Sequence, residues 1–114
     1  MGEVRLIRKD ELKYLLSLYE HLNKDDPVME LDEKLQKHWE EIISHPDYFY
    51  LVVEDGGNIV STCNLTVIRN LTREARSYGL IENVVTHPNY RKRGYGTAVL
   101  KRAVDIAREH GCYK

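Results

Sequence analysis

Apolar positions along the 114-residue chain alternate between a period of two and a period near 3.6, and the changes of period mark out the elements. Val4, Leu6 and Ile7 mark a short first strand, ended by Arg8, Lys9 and Asp10, with Asp10 placed as a helix N-cap. Leu12, Leu15, Leu16, Tyr19 and Leu22 then recur at helical spacing and predict an amphipathic helix of about three turns. The polar run Asn23, Lys24, Asp25, Asp26, Pro27 breaks it. A second helix is predicted from Asp32, as cap, to about Ser44, with Leu35, Trp39, Ile42 and Ile43 on one face. Between the helices, Asp25, Asp26 and Glu30 read as a solvated loop, with the edge of a substrate pocket as the alternative.

His45, Pro46 and Asp47 end the helical part. Residues 48–53 form a β-rich run, and Asp55-Gly56-Gly57-Asn58 is a hairpin turn of residues that tolerate positive φ. Residues 59–68 supply the return strand. A charged, turn-prone segment, 69–76, leads to another strand at about 77–86. Consecutive strands with short turns predict an antiparallel meander. After His87-Pro88-Asn89 the period becomes helical, with Leu100, Ala103, Val104 and Ala107 as the apolar stripe and Lys101, Arg102, Asp105 and Arg108 pointing away. Gly111 stands where a C′ glycine belongs, and Cys112-Tyr113-Lys114 reads as the start of a further strand. The fold class expected is α/β, a mixed, mostly antiparallel sheet flanked by helices on both faces, in a single domain over residues 1–114.

Charge and cysteine content narrow the functions. With 17 basic and 18 acidic residues the net charge is −1, so no global field recruits nucleic acid or an anionic membrane, and anion binding has to be local. The first nine residues lack the apolar run of a signal peptide, and no apolar stretch is long enough to span a bilayer. A soluble, cytoplasmic protein is expected. Cys63 and Cys112 form no CxxC pair and have no metal-ligand spacing; they read as reduced structural thiols, and no metal is implied. His38 and His87 likewise lack a partner at ligand spacing.

Local anion binding has one clear location. Residues 81–98 read as a buried strand, a Pro-containing turn, a basic glycine-rich loop and the first turn of a helix. The N–H groups at a helix N-terminus have no intrahelical acceptor, and a Gly-x-Gly loop lets a phosphate reach them without meeting a Cβ. Arg91, Lys92 and Arg93 lead into that loop. A dinucleotide fingerprint would need a small residue where Val99 stands, and a P-loop would need Gly-Lys-Ser/Thr where Thr97 and Ala98 follow Gly96.

The run from Val84 to Ala98, VVTHPNYRKRGYGTA, set between a strand and an amphipathic helix, resembles the acetyl-CoA-binding motif of the GNAT superfamily of N-acetyltransferases. Arg91, Gly94 and Gly96 match its core, Arg/Gln-x-x-Gly-x-Gly/Ala, and the upstream order of strand, two helices and two strands fits the same family. The resemblance implies an acyl-CoA N-acyltransferase-like fold that is C-terminally incomplete here. Acetyl-CoA is the implied cosubstrate: its pyrophosphate would lie on the backbone amides of Arg91, Lys92, Arg93, Gly94, Tyr95, Gly96 and Thr97, and its pantetheine arm along the backbone of Val84 and Val85.

Acetylating an amine also needs a base, since an alkyl amine is mostly protonated near neutrality. Glu82, in an otherwise apolar strand, is the candidate, because burial would raise its pKa toward the working range; its alternative is a structural carboxylate paired with a basic side chain. Alternation puts Glu82 and Asn83 on opposite faces unless a bulge intervenes, and Asn83 could orient a water or the amine. Ile81-Glu82-Asn83-Val84-Val85 also resembles the Ile-Glu-Asp-Val-Val segment of glucosamine-6-phosphate N-acetyltransferases, with Asn83 in place of that branch's second acid. The family's usual acid, a Tyr after the next strand, falls beyond Lys114; neither Tyr113 nor Tyr95 inherits its role.

The function expected is direct acetyl transfer from acetyl-CoA to a primary amine of a small molecule, an aminosugar phosphate among the candidates. The alternative is a catalytically inactive acetyl-CoA-binding or regulatory module. The family resemblance leaves three readings of the chain's end: a truncated product, a partial chain, or a subunit of a homodimer that borrows a strand. Weak or no turnover is expected of these 114 residues in isolation.

Overall fold

The computed structural model describes residues 2–27 and 29–114. Four strands, β1 (Glu3–Leu6), β2 (Tyr48–Asp55), β3 (Asn58–Ile68) and β4 (Tyr78–Thr86), pair antiparallel in chain order. Three helices accompany them: α1 (Leu12–Tyr19), α2 (Glu33–Ile43) and α3 (Tyr95–Glu109). Gly56 and Gly57, with φ of 60° and 83°, close the β2–β3 hairpin in the doubly left-handed turn that matches strand twist. Between β3 and β4, Arg73, Glu74 and Ala75 make a left-handed turn, with φ of 55°, 61° and 60°.

The central strands are apolar on both faces because both are covered. Leu51 and Val53 of β2, with Cys63 and Leu65 of β3, meet Val99, Ala103 and Ile106 of α3. Val52, one residue out of phase, joins Ile7, Leu12, Leu15 and Trp39 on the face covered by α1 and α2. The Trp39 indole N–H donates to the Lys9 carbonyl at 2.9 Å, which ties α2 to the chain ahead of α1.

Helix α2 matches its sequence reading: Asp32 Oδ1 accepts the Leu35 N–H at 2.9 Å. The entry to α1 does not. The chain reaches it through a 3-10 turn, Lys9–Glu11, in which Glu11 accepts the Arg8 N–H at 2.7 Å, and neither Asp10 nor any other side chain among the described residues caps α1. Helix α1 ends at Tyr19, so Leu22 lies in the following turns. On α3 the buried stripe is Val99, Ala103 and Ile106, while Val104 is 38% exposed, about 140° round the helix from Val99 at 3.6 residues per turn. Gly111, with φ of +74°, ends α3 in a Schellman motif: its N–H donates to Arg108 O and the Cys112 N–H to Ala107 O, each at 3.0 Å. Residues 112–114 carry no assigned strand, yet they join the start of β4 through Tyr113 N–H to Ser77 O and Gly79 N–H to Lys114 O.

Glu11 also shares Arg5 with Glu54; the Arg5 Nη2 atom lies 2.7 Å and 2.6 Å from their carboxylates. The hydrogen bond from Arg5 is the largest influence holding the Glu11 carboxyl below its ordinary range, against an opposing push from burial. A carboxyl whose pKa is depressed by folding stabilises the fold above its unfolded pKa and loses that contribution as pH falls through the folded value. The melting temperature is therefore expected to decline below about pH 4, and less steeply in Arg5→Met, as thermal melts across that range would register.

Candidate active site at the β4 bulge and the following loop

Strand β4 is apolar over most of its length, but Asn83 interrupts it with φ of 55°, a left-handed conformation that Asn adopts more readily than β-branched residues do. The ladder shows the result. Thr62 pairs with Val85 and Asn64 with Glu82, leaving Asn83 and Val84 opposite Cys63 alone, which is a β-bulge. Downstream of it, the alternation is reset by one residue.

Both candidate catalytic residues thereby come to one side. Glu82 pairs with Asn64 and so shares the face covered by α1 and α2, while Asn83 donates through Nδ2 to Asn64 Oδ1 at 3.0 Å. Opposite faces, the expectation without a bulge, do not hold. The burial expected of Glu82 is also corrected: the residue is exposed, because β4 is the last strand of the sheet and nothing among the described residues covers this position. Tyr50, half-buried on the same face, has its pKa raised first by burial, then by Tyr48 and by the nearby Glu82 charge. Val85 is core, whereas Val84 is 39% exposed on the open strand.

Beyond β4, a short 3-10 turn, Pro88–Tyr90, leads to residues 91–97. His87 Nδ1 accepts the Asn89 N–H at 3.1 Å and fixes that turn. Lys92 and Gly94 both have positive φ, 64° and 81°, and Gly94 is the N-cap of α3. No side chain among the described residues caps this end of α3, which leaves its first N–H groups open to a ligand. The approach is open: a Cβ on Gly94 would meet nothing within 4 Å, and one on Gly96 would meet only Thr86 Oγ1, at 3.5 Å.

The three cations of this loop differ in role. Arg91 Nε donates to the Thr86 carbonyl at 3.2 Å and braces the end of β4. Arg93 sits 3.6 Å from Asp55 Oδ2 and lies over the Tyr90 ring at 5.0 Å. Lys92 is exposed, as is Thr97. Asp55, at the end of the β2–β3 hairpin, also accepts a short hydrogen bond from the Tyr95 hydroxyl. That bond is the main cause of the raised Tyr95 pKa, so Tyr95 anchors the loop as a neutral donor. Its ring packs against Gly2, where a Cβ would approach within 2.4 Å of it.

Adjoining the bulge is a cleft of about 640 Å³, bounded by α1, the segment after it and Asn83. Asp26 lines this cleft and Asp25 and Glu30 do not, which divides the acidic loop between the two readings. Tyr19 was legible only as part of a helix face. It lines the cleft, its hydroxyl is buried without a hydrogen-bond partner among the described residues, and burial, with smaller pushes from Tyr50 and Cys63, raises its pKa. Asn64 is buried beneath the bulge; its sequence context, a chance match to the Asn-x-Thr sequon, gives no sign of that place. Among the described residues no group of three or more His, Cys, Asp or Glu could hold a metal ion, and no helix is long and apolar enough to cross a membrane.

The model of the acetyltransferase (GNAT) family matches residues 15–114. The glucosamine 6-phosphate N-acetyltransferase of Trypanosoma brucei brucei is 31% identical over 114 residues, covering 98% of this chain and 76% of that protein. Glucosamine 6-phosphate N-acetyltransferase 1 of rice, Oryza sativa subsp. japonica, is 33% identical over 120 residues, covering 99% and 72%. Among solved structures, the glucosamine-6-phosphate N-acetyltransferase of Arabidopsis thaliana superposes with a TM-score of 0.89 at 25% identity, over 100% of this chain and 79% of that one.

Proposed function

The chain belongs to the acetyltransferase (GNAT) family, and from that premise we propose that it transfers an acetyl group from acetyl-CoA directly to a primary amine of a small molecule. One observation carries the reading: a single strand bears the bulge at Asn83, an open edge at Val84 and Val85, and an uncapped helix N-terminus beyond its end. The fit to acetyl-CoA is supported by the clear space over Gly94 and Gly96, which a Cβ would occupy. The N–H groups of the 91–97 segment and the positive end of α3 would hold the pyrophosphate, and Lys92 would add a mobile charge. The β4 edge at Val84 and Val85 would pair with the pantetheine amides.

When bound, acetyl-CoA supplies a thioester carbonyl for the amine nitrogen to attack and leaves as the thiol. The protein's own part is to move protons and position the amine. Glu82 takes a proton from the ammonium group, through water given its exposure, and Asn83 holds that water or the amine from the same side. The C–N bond forms as the C–S bond breaks. The amine's second proton goes to the departing sulfur.

Calorimetry with acetyl-CoA, followed by thiol release across a panel of amines that includes glucosamine 6-phosphate, tests the proposal. Saturable binding with amine-dependent thiol release is the expected result. Binding without release to any amine would favour the inactive acetyl-CoA-binding module, and no binding would overturn both readings. The Asp55 anchor gives a subtler check. Asp55→Ala frees Tyr95 and Arg93 together, and it is expected to raise the KM for acetyl-CoA about five- to tenfold with kcat unchanged, less than the full worth of a charge-assisted hydrogen bond because the anchor acts on the ligand only through the loop.

A further inference from the structure

The cleft beside the bulge has walls whose chemistry bears on the acceptor. Met29 and Leu31 stand 56% and 49% exposed along it, and Leu16, Leu22 and Pro27 extend the apolar surface. Exposed apolar side chains gathered in one concavity are the usual lining of a site for an apolar ligand. The charged members are two carboxylates, Glu20 and Asp26, and one cation, Lys13. Neither carboxylate is in an ion pair among the described residues. The ammonium of Lys13 lies over the Tyr14 ring, 5.1 Å from its centroid. A phosphate dianion entering here would meet two carboxylates against one cation, Lys13, a net repulsion. An ammonium group would meet the reverse.

We propose that this cleft is the acceptor site and that it takes a primary amine carried on an apolar body, in preference to a phosphorylated aminosugar. The inference rests on the acetyl-transfer reading above for its chemistry but not for its binding. Glu20 and Asp26 draw in the ammonium group, the surface of Met29, Leu31, Leu16 and Leu22 receives the apolar body, and the amine is presented toward Asn83, which lines the same cleft. Two relatives are named for an aminosugar phosphate; the two carboxylates among this cleft's lining argue against such an anion here.

Binding is read directly, so that it does not depend on turnover. Phenethylamine and glucosamine 6-phosphate are titrated separately into the isotopically labelled chain, with amide shifts followed at Leu16, Asp26, Leu31 and Asn83. Acetyl-CoA is titrated in parallel and followed at Gly94 and Gly96. Phenethylamine is expected to shift the cleft amides and to bind at least about tenfold more tightly than the sugar phosphate. Asp26→Lys, an exchange at an exposed position, is expected to remove or reverse that preference while circular dichroism and the acetyl-CoA response stay unchanged. Tighter binding of glucosamine 6-phosphate, an unaltered preference in Asp26→Lys, or no shift in the cleft with either amine would overturn the proposal. Shifts in the cleft without any response to acetyl-CoA would leave it standing and remove the acetyl-transfer reading instead.

Discussion

Replacing Gly96 by valine is expected to weaken acetyl-CoA binding at least about a hundredfold, while the protein folds and melts nearly as before. The two halves of that expectation have separate physical origins. Within the protein, a Cβ at this position meets only Thr86 Oγ1, at 3.5 Å, an ordinary contact, and valine in the first turn of α3 is no worse a helix former than the glycine it replaces. Over the loop, its methyl groups would occupy the space a pyrophosphate must enter to reach the N–H groups at the helix end. Losing two charge-assisted hydrogen bonds, each worth about 1.5–3 kcal/mol, accounts for a hundredfold or more. Calorimetry and a thermal melt of the same preparation check both halves. Unchanged affinity would remove residues 91–97 from the site.

Glu82→Gln is the complementary expectation: kcat falls about a hundredfold, the low end of the range for a general base, and acetyl-CoA affinity stays the same. The substitution preserves shape and removes only the capacity to take a proton. Glu82 is exposed, so a structural cost is not expected to confuse the result, and a melt would show it if present. The bulge makes this carboxylate and Asn83 neighbours on one face, so a variant at either should depress turnover more than binding. Wild-type kcat in Glu82→Gln would sink the base assignment and leave the cofactor loop untouched.

The parts of this site that were legible are those whose signals are local. Two glycines with positive φ define the β2–β3 turn, Asp32 caps α2 through a bond three residues long, and Arg91, Gly94 and Gly96 lie in one short loop. The parts that were not legible depend on partners distant in the chain. Whether Glu82 and Asn83 share a face is decided by pairing with Thr62 and Asn64, and an asparagine in an apolar strand hints at a bulge without locating its register. Exposure of Glu82 depends on β4 being the last strand, a property of the sheet as a whole. Val104 was misplaced for a simpler reason. The apolar residues of α3 spread over more than one face, and only the packed sheet selects the stripe through Val99 and Ile106.

The Asp55 contact reaches beyond the equilibrium geometry of the loop. Asp55 belongs to a hairpin closed by two residues, an element that forms on a scale of about 1–10 μs. Its carboxylate gives Tyr95 and Arg93 a seat on the protein's own side, so the shape of the loop is set by contacts within the fold. On the proposed reading, encounter with a phosphate is expected to require orientation more than ordering of backbone, and the association rate should respond to ionic strength far more than to solvent viscosity acting on loop closure.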